Sequence, residues 1–184
     1  IYNNYPVPLD KGHAKNTIGV KADKIVLFFG IVRDYKGLDI LIESMEEVFE
    51  NDSQIKLLIV GECYSNKRMY MRLINKSNHR NRIIWIEKFI EENDVSAYFS
   101  SADIVVLPYR AASQSGVIPL CYHYNKPVIT SDLESLIEVV KDGETGLIYD
   151  SNKKNDLSLK ILQFFKDDKP ELYEKNIIEY KKSF

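Results

Sequence analysis

Only two cysteines and three histidines occur in the 184 residues of this chain. Cys63 and Cys121 stand at the end of one apolar run and inside another, so they read as small buried side chains, not a disulfide framework. His13, His79 and His123 are scattered without metal-ligand spacing, and no metal site is expected. Neither sign of charge is in excess: the formal net charge is −2, which gives nucleic acid no electrostatic footing. No apolar run approaches the length of a membrane span. The first residues, Ile1-Tyr2-Asn3-Asn4-Tyr5-Pro6, have neither the basic start nor the apolar core of a signal peptide, so a cytoplasmic setting is the expectation. Two glycine signatures are also missing. Without Gly-x-Gly-x-x-Gly or a Gly-Lys-Ser/Thr turn, a dinucleotide dehydrogenase and a P-loop nucleotidase are both disfavoured.

What the chain does contain is a regular alternation. Its hydrophobic fraction of 45% and charged fraction of 28% are those of a globular protein, and its length suits one domain that buries roughly 70% of its unfolded surface. Residues 1–20 lack clear periodicity and read as a linker, extended over 2–8 and briefly helical near 11–18. From residue 21 to 184, strands are expected at 25–30, 55–61, 82–87, 103–109, 127–130 and 146–149. Helices are expected at 38–49, 67–75, 94–101, 116–124, 135–140, 155–166 and 170–182. Parallel strands require such crossovers, and continuous Ile/Val/Leu runs require cover on both faces. The expected fold is therefore α/β, a doubly wound, mainly parallel six-stranded sheet.

Ligands of such sheets bind outside the carboxyl ends of the strands, which turns attention to the loops there. The first, Gly30-Ile31-Val32-Arg33-Asp34-Tyr35-Lys36-Gly37, brings two cations between glycines; Arg33 offers a bidentate fork to phosphate and Lys36 a mobile point charge. Gly61-Glu62-Cys63 follows the second strand and Glu87-Lys88-Phe89-Ile90 the third. After the fourth comes Arg110-Ala111-Ala112-Ser113-Gln114-Ser115-Gly116, where small side chains and hydroxyls precede a helix whose first N–H groups lack intrahelical acceptors. Ser113 or Ser115 could equally be an ordinary helix cap, Lys36-Gly37 a solvated turn, and Phe89 a plug under its loop. Taken together, Gly30, Arg33, Lys36, Gly61, Phe89, Ser113, Gln114, Ser115 and Gly116 suit a nucleoside diphosphate.

At these residues the chain resembles the C-terminal, donor-binding half of a GT-B glycosyltransferase, specifically glycosyltransferase family 4, also called group 1. The resemblance covers residues 25–165 and rests on five ordered blocks. These are Phe29-Gly30 followed by Lys36-Gly37-Leu38-Asp39-Ile40-Leu41-Ile42; Leu58-Ile59-Val60-Gly61-Glu62; Ser101-Ala102-Asp103-Ile104-Val105-Val106-Leu107-Pro108; Lys126-Pro127-Val128-Ile129-Thr130; and Glu138-Val139-Val140-Lys141-Asp142-Gly143-Glu144-Thr145-Gly146.

The resemblance implies a nucleotide-sugar donor, UDP- or GDP-linked, as substrate and no cofactor. Lys36, Arg33 and residues 113–116 would bind the diphosphate, with Gly30, Gly61, Phe89 and Glu134 about the nucleotide and sugar. It implies transfer to a glycan or lipid-linked acceptor with retained anomeric configuration and no metal, in a surface-glycan pathway, with peripheral association at the inner membrane face as a further partner surface. It also implies an N-terminal acceptor domain, to which residues 2–8 resemble the crossing segment and which this sequence does not include. The chain departs from the family in three places. Ile31 stands where an arginine usually follows the first glycine. The two glutamates usually spaced eight apart fall at Ser113 and Cys121, or at Ala112 and Leu120 in the other register. Leu133-Glu134 replaces a Gly-Gly, leaving Glu134 as an acid near the site or simply a surface residue. No residue is assigned as catalytic. The missing glutamates support a second reading, a nucleotide-sugar-binding or scaffold domain without turnover. A flavodoxin-like receiver or flavin domain shares the strand rhythm but lacks the acidic cluster or flavin loop it would need.

Overall fold

The computed structural model describes residues 5–167 and 169–182; the first part of the expected approach segment and the last two residues of the closing run lie outside them. Six strands, β1 (Lys24–Phe29), β2 (Ile55–Val60), β3 (Ile83–Ile86), β4 (Ile104–Leu107), β5 (Val128–Ser131) and β6 (Gly146–Tyr149), form one parallel sheet in the order β3-β2-β1-β4-β5-β6. Eight helices accompany them among the described residues: α1 (Lys11–Thr17), α2 (Leu38–Asn51), α3 (Lys67–Lys76), α4 (Glu92–Ser101), α5 (Val117–His123), α6 (Glu134–Ile137), α7 (Asp156–Asp167) and α8 (Pro170–Lys181).

The continuous apolar runs are explained by a sheet covered on both faces. Val26 and Phe28 of β1, Leu57 and Ile59 of β2, and Ile104 and Val106 of β4 join one cluster with residues of α2, α3 and α7. Their neighbours Ile25, Leu27, Leu58, Val60, Val105 and Leu107 join another with residues of α4, α5 and α8. Period-two alternation thus sends every second side chain to each core. On α2 the buried residues Leu38, Leu41, Ile42, Met45, Val48 and Phe49 follow the three-and-four spacing of one helical stripe. Each such side chain contributes about 1.5–3 kcal/mol on burial.

The differences from expectation have local causes. The fourth strand ends at Leu107 because Pro108 has no N–H to continue the ladder. It begins after Asp103, whose carboxylate accepts from the Ile25 N–H at 2.8 Å and pairs with Lys11. The helix expected at 135–140 is a single turn, Glu134–Ile137. Cys121 is buried as expected, but Cys63 is only half-buried, because it lies in the loop beyond β2 and not on the strand. Within residues 1–20, the described part docks on α4: Ser96 Oγ donates to the Val7 carbonyl at 2.7 Å, and the Leu9 N–H donates to Ser100 Oγ at 2.9 Å. Asp10 caps α1 by accepting from the His13 N–H at 3.0 Å, and Ala14 of that helix is buried.

Candidate functional site

From β1 the chain winds outward through β2 to β3, then returns to place β4 on the other side of β1 and winds outward again. The loops beyond β1 and β4 therefore leave the sheet toward opposite faces, and a crevice opens between them at the carboxyl ends.

On one side of that crevice the backbones of the first two loops are stitched together. The Gly30 N–H donates to the Val60 carbonyl at 2.9 Å, the Val32 N–H to that of Glu62 at 2.8 Å, and the Tyr64 N–H to that of Val32 at 3.0 Å. This closeness demands glycine. At Gly61 φ is +137°, and an added Cβ would lie 2.3 Å from the Gly30 carbonyl oxygen. Beyond this, Asp34–Lys36 form a single 3₁₀ turn that ends at Gly37 with φ 66°.

Lys36 is half-buried. Its ammonium sits over Gly30, 3.1 Å from where a Cβ there would be, and 5.8 Å from the centre of the Tyr109 ring. Among the described residues it has no hydrogen bond or ion pair with a protein acceptor. Burial, and then repulsion from Arg33, push its pKa below the ordinary lysine value. Arg33 itself is exposed, its guanidinium 5.7 Å from the centre of the Tyr64 ring.

The other side is the loop between β4 and α5. Ser113, Gln114 and Gly116 are exposed, and nothing lies within 4 Å of a Cβ built on Gly116. Neither serine caps α5: its N-cap is Gly116, without a side-chain cap bond, and Ser115 Oγ instead accepts from the Val117 N–H at 3.3 Å across the turn before the helix. It also meets the hydroxyl of Tyr109, a buried residue whose pKa is raised by that burial. Ser131 Oγ and Ser135 Oγ hold the loop from below, donating to the carbonyls of Tyr109 at 2.7 Å and Ala112 at 2.6 Å.

Between the ends of β1, β2 and β3 lies an apolar hollow lined by Phe29, Gly30, Ile31, Gly61, Glu62 and Phe89, among others. Phe89 is 63% exposed, so it is a wall of this hollow and not a core plug. Gly30, Gly61 and Phe89 are thus brought together. Glu134 is not among the lining residues; it is exposed at the first position of α6, beyond β5. The places of the usual glutamates offer no carboxylate: Leu120 and Cys121 are buried in α5, and Ala112 and Ser113 precede it.

Two side chains that the sequence does not advertise hold the halves of the crevice together. Arg110 grips Asp39 in the first turn of α2 through both carboxylate oxygens, at 2.8 and 2.5 Å, and donates to the Asp34 carbonyl at 3.0 Å. Its own N–H donates to the Tyr35 carbonyl at 2.7 Å. Burial works against the charge of Asp39, but the Arg110 hydrogen bonds and charge outweigh it, so its carboxyl sits below the usual aspartate range. A carboxyl depressed in the folded state contributes stability above its unfolded pKa, and that contribution is lost as pH falls through the folded value. The stability difference between the wild type and Asp39→Asn, read from urea midpoints, is therefore expected to stay level from about pH 8 to 5 and to shrink below about pH 4. A difference that already shrinks near neutrality would contradict this pairing.

The comparisons with known proteins agree with this geometry. Residues 11–184 match the family model described as glycosyl transferases group 1. A GDP-mannose:glycolipid 4-beta-D-mannosyltransferase of Xanthomonas campestris pv. campestris is 27% identical over 124 residues, 67% of this chain and 35% of the relative. The granule-bound starch synthase 1 of Pisum sativum is 29% identical over 145 residues, 76% of this chain and 23% of the relative. The chain thus spans about a third or less of the length of these curated relatives. Among solved structures, sucrose-phosphate synthase from Thermosynechococcus elongatus superposes with a TM-score of 0.80 at 25% identity, covering 94% of this chain and 44% of that one. The C-terminal domain of a group 1 glycosyl transferase, LpcC, from Francisella tularensis superposes with a TM-score of 0.76 at 17% identity, covering 94% of this chain and 92% of that one. Switch-point crevice, family match and shared fold together establish that the chain belongs to the group 1 glycosyltransferases and forms a C-terminal domain of the GT-B kind.

Proposed function

We propose that the crevice binds the diphosphate of a nucleotide-sugar and that this domain is the donor half of an enzyme moving the sugar to a glycan or lipid-linked acceptor. The observation that carries the reading is Lys36, a half-buried cation at the switch point with a second cation nearby and no anionic partner among the described residues. A cation held at such a cost is one whose partner arrives with the ligand. In this reading Lys36 and Arg33 receive the diphosphate from one side, and the N–H groups and hydroxyls of residues 113–116 from the other. The nucleoside lies in the hollow walled by Phe89, with Gly30 and Gly61 allowing its close approach.

When the bond to the anomeric carbon breaks, the departing diphosphate gains negative charge, and donors already in place stabilise it without reorganising. The Xanthomonas relative is named for GDP-mannose, which supports a GDP-linked sugar among the candidate donors. We further propose that the acceptor is held by a separate domain outside this sequence. A binding domain without turnover is the second reading. It is favoured by one observation, that Leu120 and Cys121 are buried and neither they nor Ala112 and Ser113 carry a carboxylate.

Calorimetric titration of the chain with UDP, GDP and ADP tests the donor reading. One diphosphate is expected to bind measurably better than the others. No binding by a folded sample would count against a donor site formed by this domain alone. Transfer or donor hydrolysis after addition of an acceptor domain would separate the enzyme from the binding domain.

A further inference from the structure

We infer that Arg110 is a positioning residue, which sets the distance between the two loops that would enclose the diphosphate without touching the ligand itself. The inference rests on the donor-site reading above and goes beyond it. Arg110 follows the buried Tyr109 at the foot of the loop that carries residues 113–116. Its guanidinium reaches across the crevice to the Asp34 carbonyl in the far loop and, through both carboxylate oxygens, to Asp39 in the first turn of α2, while its N–H binds the Tyr35 carbonyl. Asp34 and Tyr35 belong to the same 3₁₀ turn as Lys36. Two hydrogen bonds to the turn and two to the helix that follows it thus fix the turn bearing the Lys36 ammonium against the strand end from which the other loop departs.

Tyr109 tightens the same joint. Its ring lies under Lys36 at 5.8 Å and edge-on to Tyr35 at 6.2 Å, and its hydroxyl meets Ser115. Both terminal nitrogens of the Arg110 guanidinium are committed to protein acceptors. A lysine in place of Arg110 would keep the charge but lose the fork that spans a carboxylate and a carbonyl at once. Positioning carries a large penalty when it slips: a misplacement of about 1 Å can cost on the order of 10²-fold in rate, and a two-sided diphosphate site depends on its spacing in the same way.

The test compares the wild type with Arg110→Ala, Arg110→Lys and Asp39→Asn. UDP and GDP are titrated beside uridine and guanosine, and amide hydrogen exchange is followed in the ligand-free proteins. Arg110→Ala is expected to weaken binding of the preferred diphosphate by roughly 10-fold or more and to leave its nucleoside unchanged. Asp39→Asn is expected to do the same, with Arg110→Lys recovering only part. Exchange should speed up together at residues 34–37 and 113–116. Unchanged diphosphate affinity, an equal loss for nucleoside and diphosphate, or faster exchange in one loop only would each overturn the inference. If Arg110→Ala does not fold, Asp39→Asn decides on the same readouts. Failure of the wild type to bind any diphosphate would overturn the donor-site reading, while the exchange data would still show whether Arg110 couples the loops.

Discussion

Replacing Gly37 with alanine is expected to lower the stability of the domain by about 3 kcal/mol or more and to weaken diphosphate binding in whatever fraction still folds. Two effects add at this position. Its φ of 66° is left-handed, which costs an alanine about 1–2 kcal/mol. The methyl group would then lie 1.9 Å from the carbonyl oxygen of Pro108, and that atom is backbone at the end of β4, so it cannot rotate away. Relief requires the turn bearing Lys36 and the strand end bearing Tyr109 to part. Gly143 provides the control. Its φ is +74°, but nothing lies within 4 Å of a Cβ there, so alanine should cost only the conformational part, about 1–2 kcal/mol. Urea unfolding of both variants checks the contrast, and equal losses would show that the close approach of the two loops is not what constrains Gly37.

The second large effect is expected at Lys36, and its two parts have opposite signs. Lys36→Met keeps the length of the side chain and removes the charge. Charged hydrogen bonds to an oxyanion are worth about 1.5–3 kcal/mol, so diphosphate affinity should fall about 10- to 100-fold. The ligand-free domain should be no less stable and should gain up to about 1–2 kcal/mol, as is usual when a group held for function is relieved. The sign follows from linkage. The pKa of Lys36 is depressed in the folded state, by burial first and by Arg33 second. The penalty is therefore fully present at neutral pH and fades only as pH rises through the folded value toward that of the unfolded chain. The stability advantage of Lys36→Met should accordingly narrow in alkaline solution. Urea midpoints between pH 7 and 10, beside calorimetry at pH 7, measure both parts. A variant that loses stability and affinity together would make Lys36 a structural residue.

The order of elements and the parallel sheet are legible in the chain because each strand is a continuous apolar run and each helix carries a single stripe. Both patterns are dictated by burial within a few residues. The same local reading finds the loops at the strand ends, and Gly30, Gly61 and Phe89 do meet in one hollow. What it misses is set by distance along the chain. Arg110 and Asp39 are separated by 71 positions, and nothing in either neighbourhood signals that one grips the other. The half-buried state of Cys63 and the early end of the fourth strand turn on a loop crossing and on one missing N–H at Pro108. Whether Ser113 or Ser115 caps the helix depends on loop geometry that residue type alone does not specify; neither does, because Gly116 takes the cap position and Ser115 bonds within the preceding turn.

A map of amide chemical shifts during titration with UDP and GDP addresses the location of the site most directly. The preferred nucleotide is expected to shift the amides of Gly30, Gly61, Phe89 and residues 113–116 together, at the carboxyl ends of β1 to β4. Shifts gathered elsewhere, for example around Asp132, Asp150 and Asp156 beyond the outer strands β5 and β6, would contradict a donor site at the switch point.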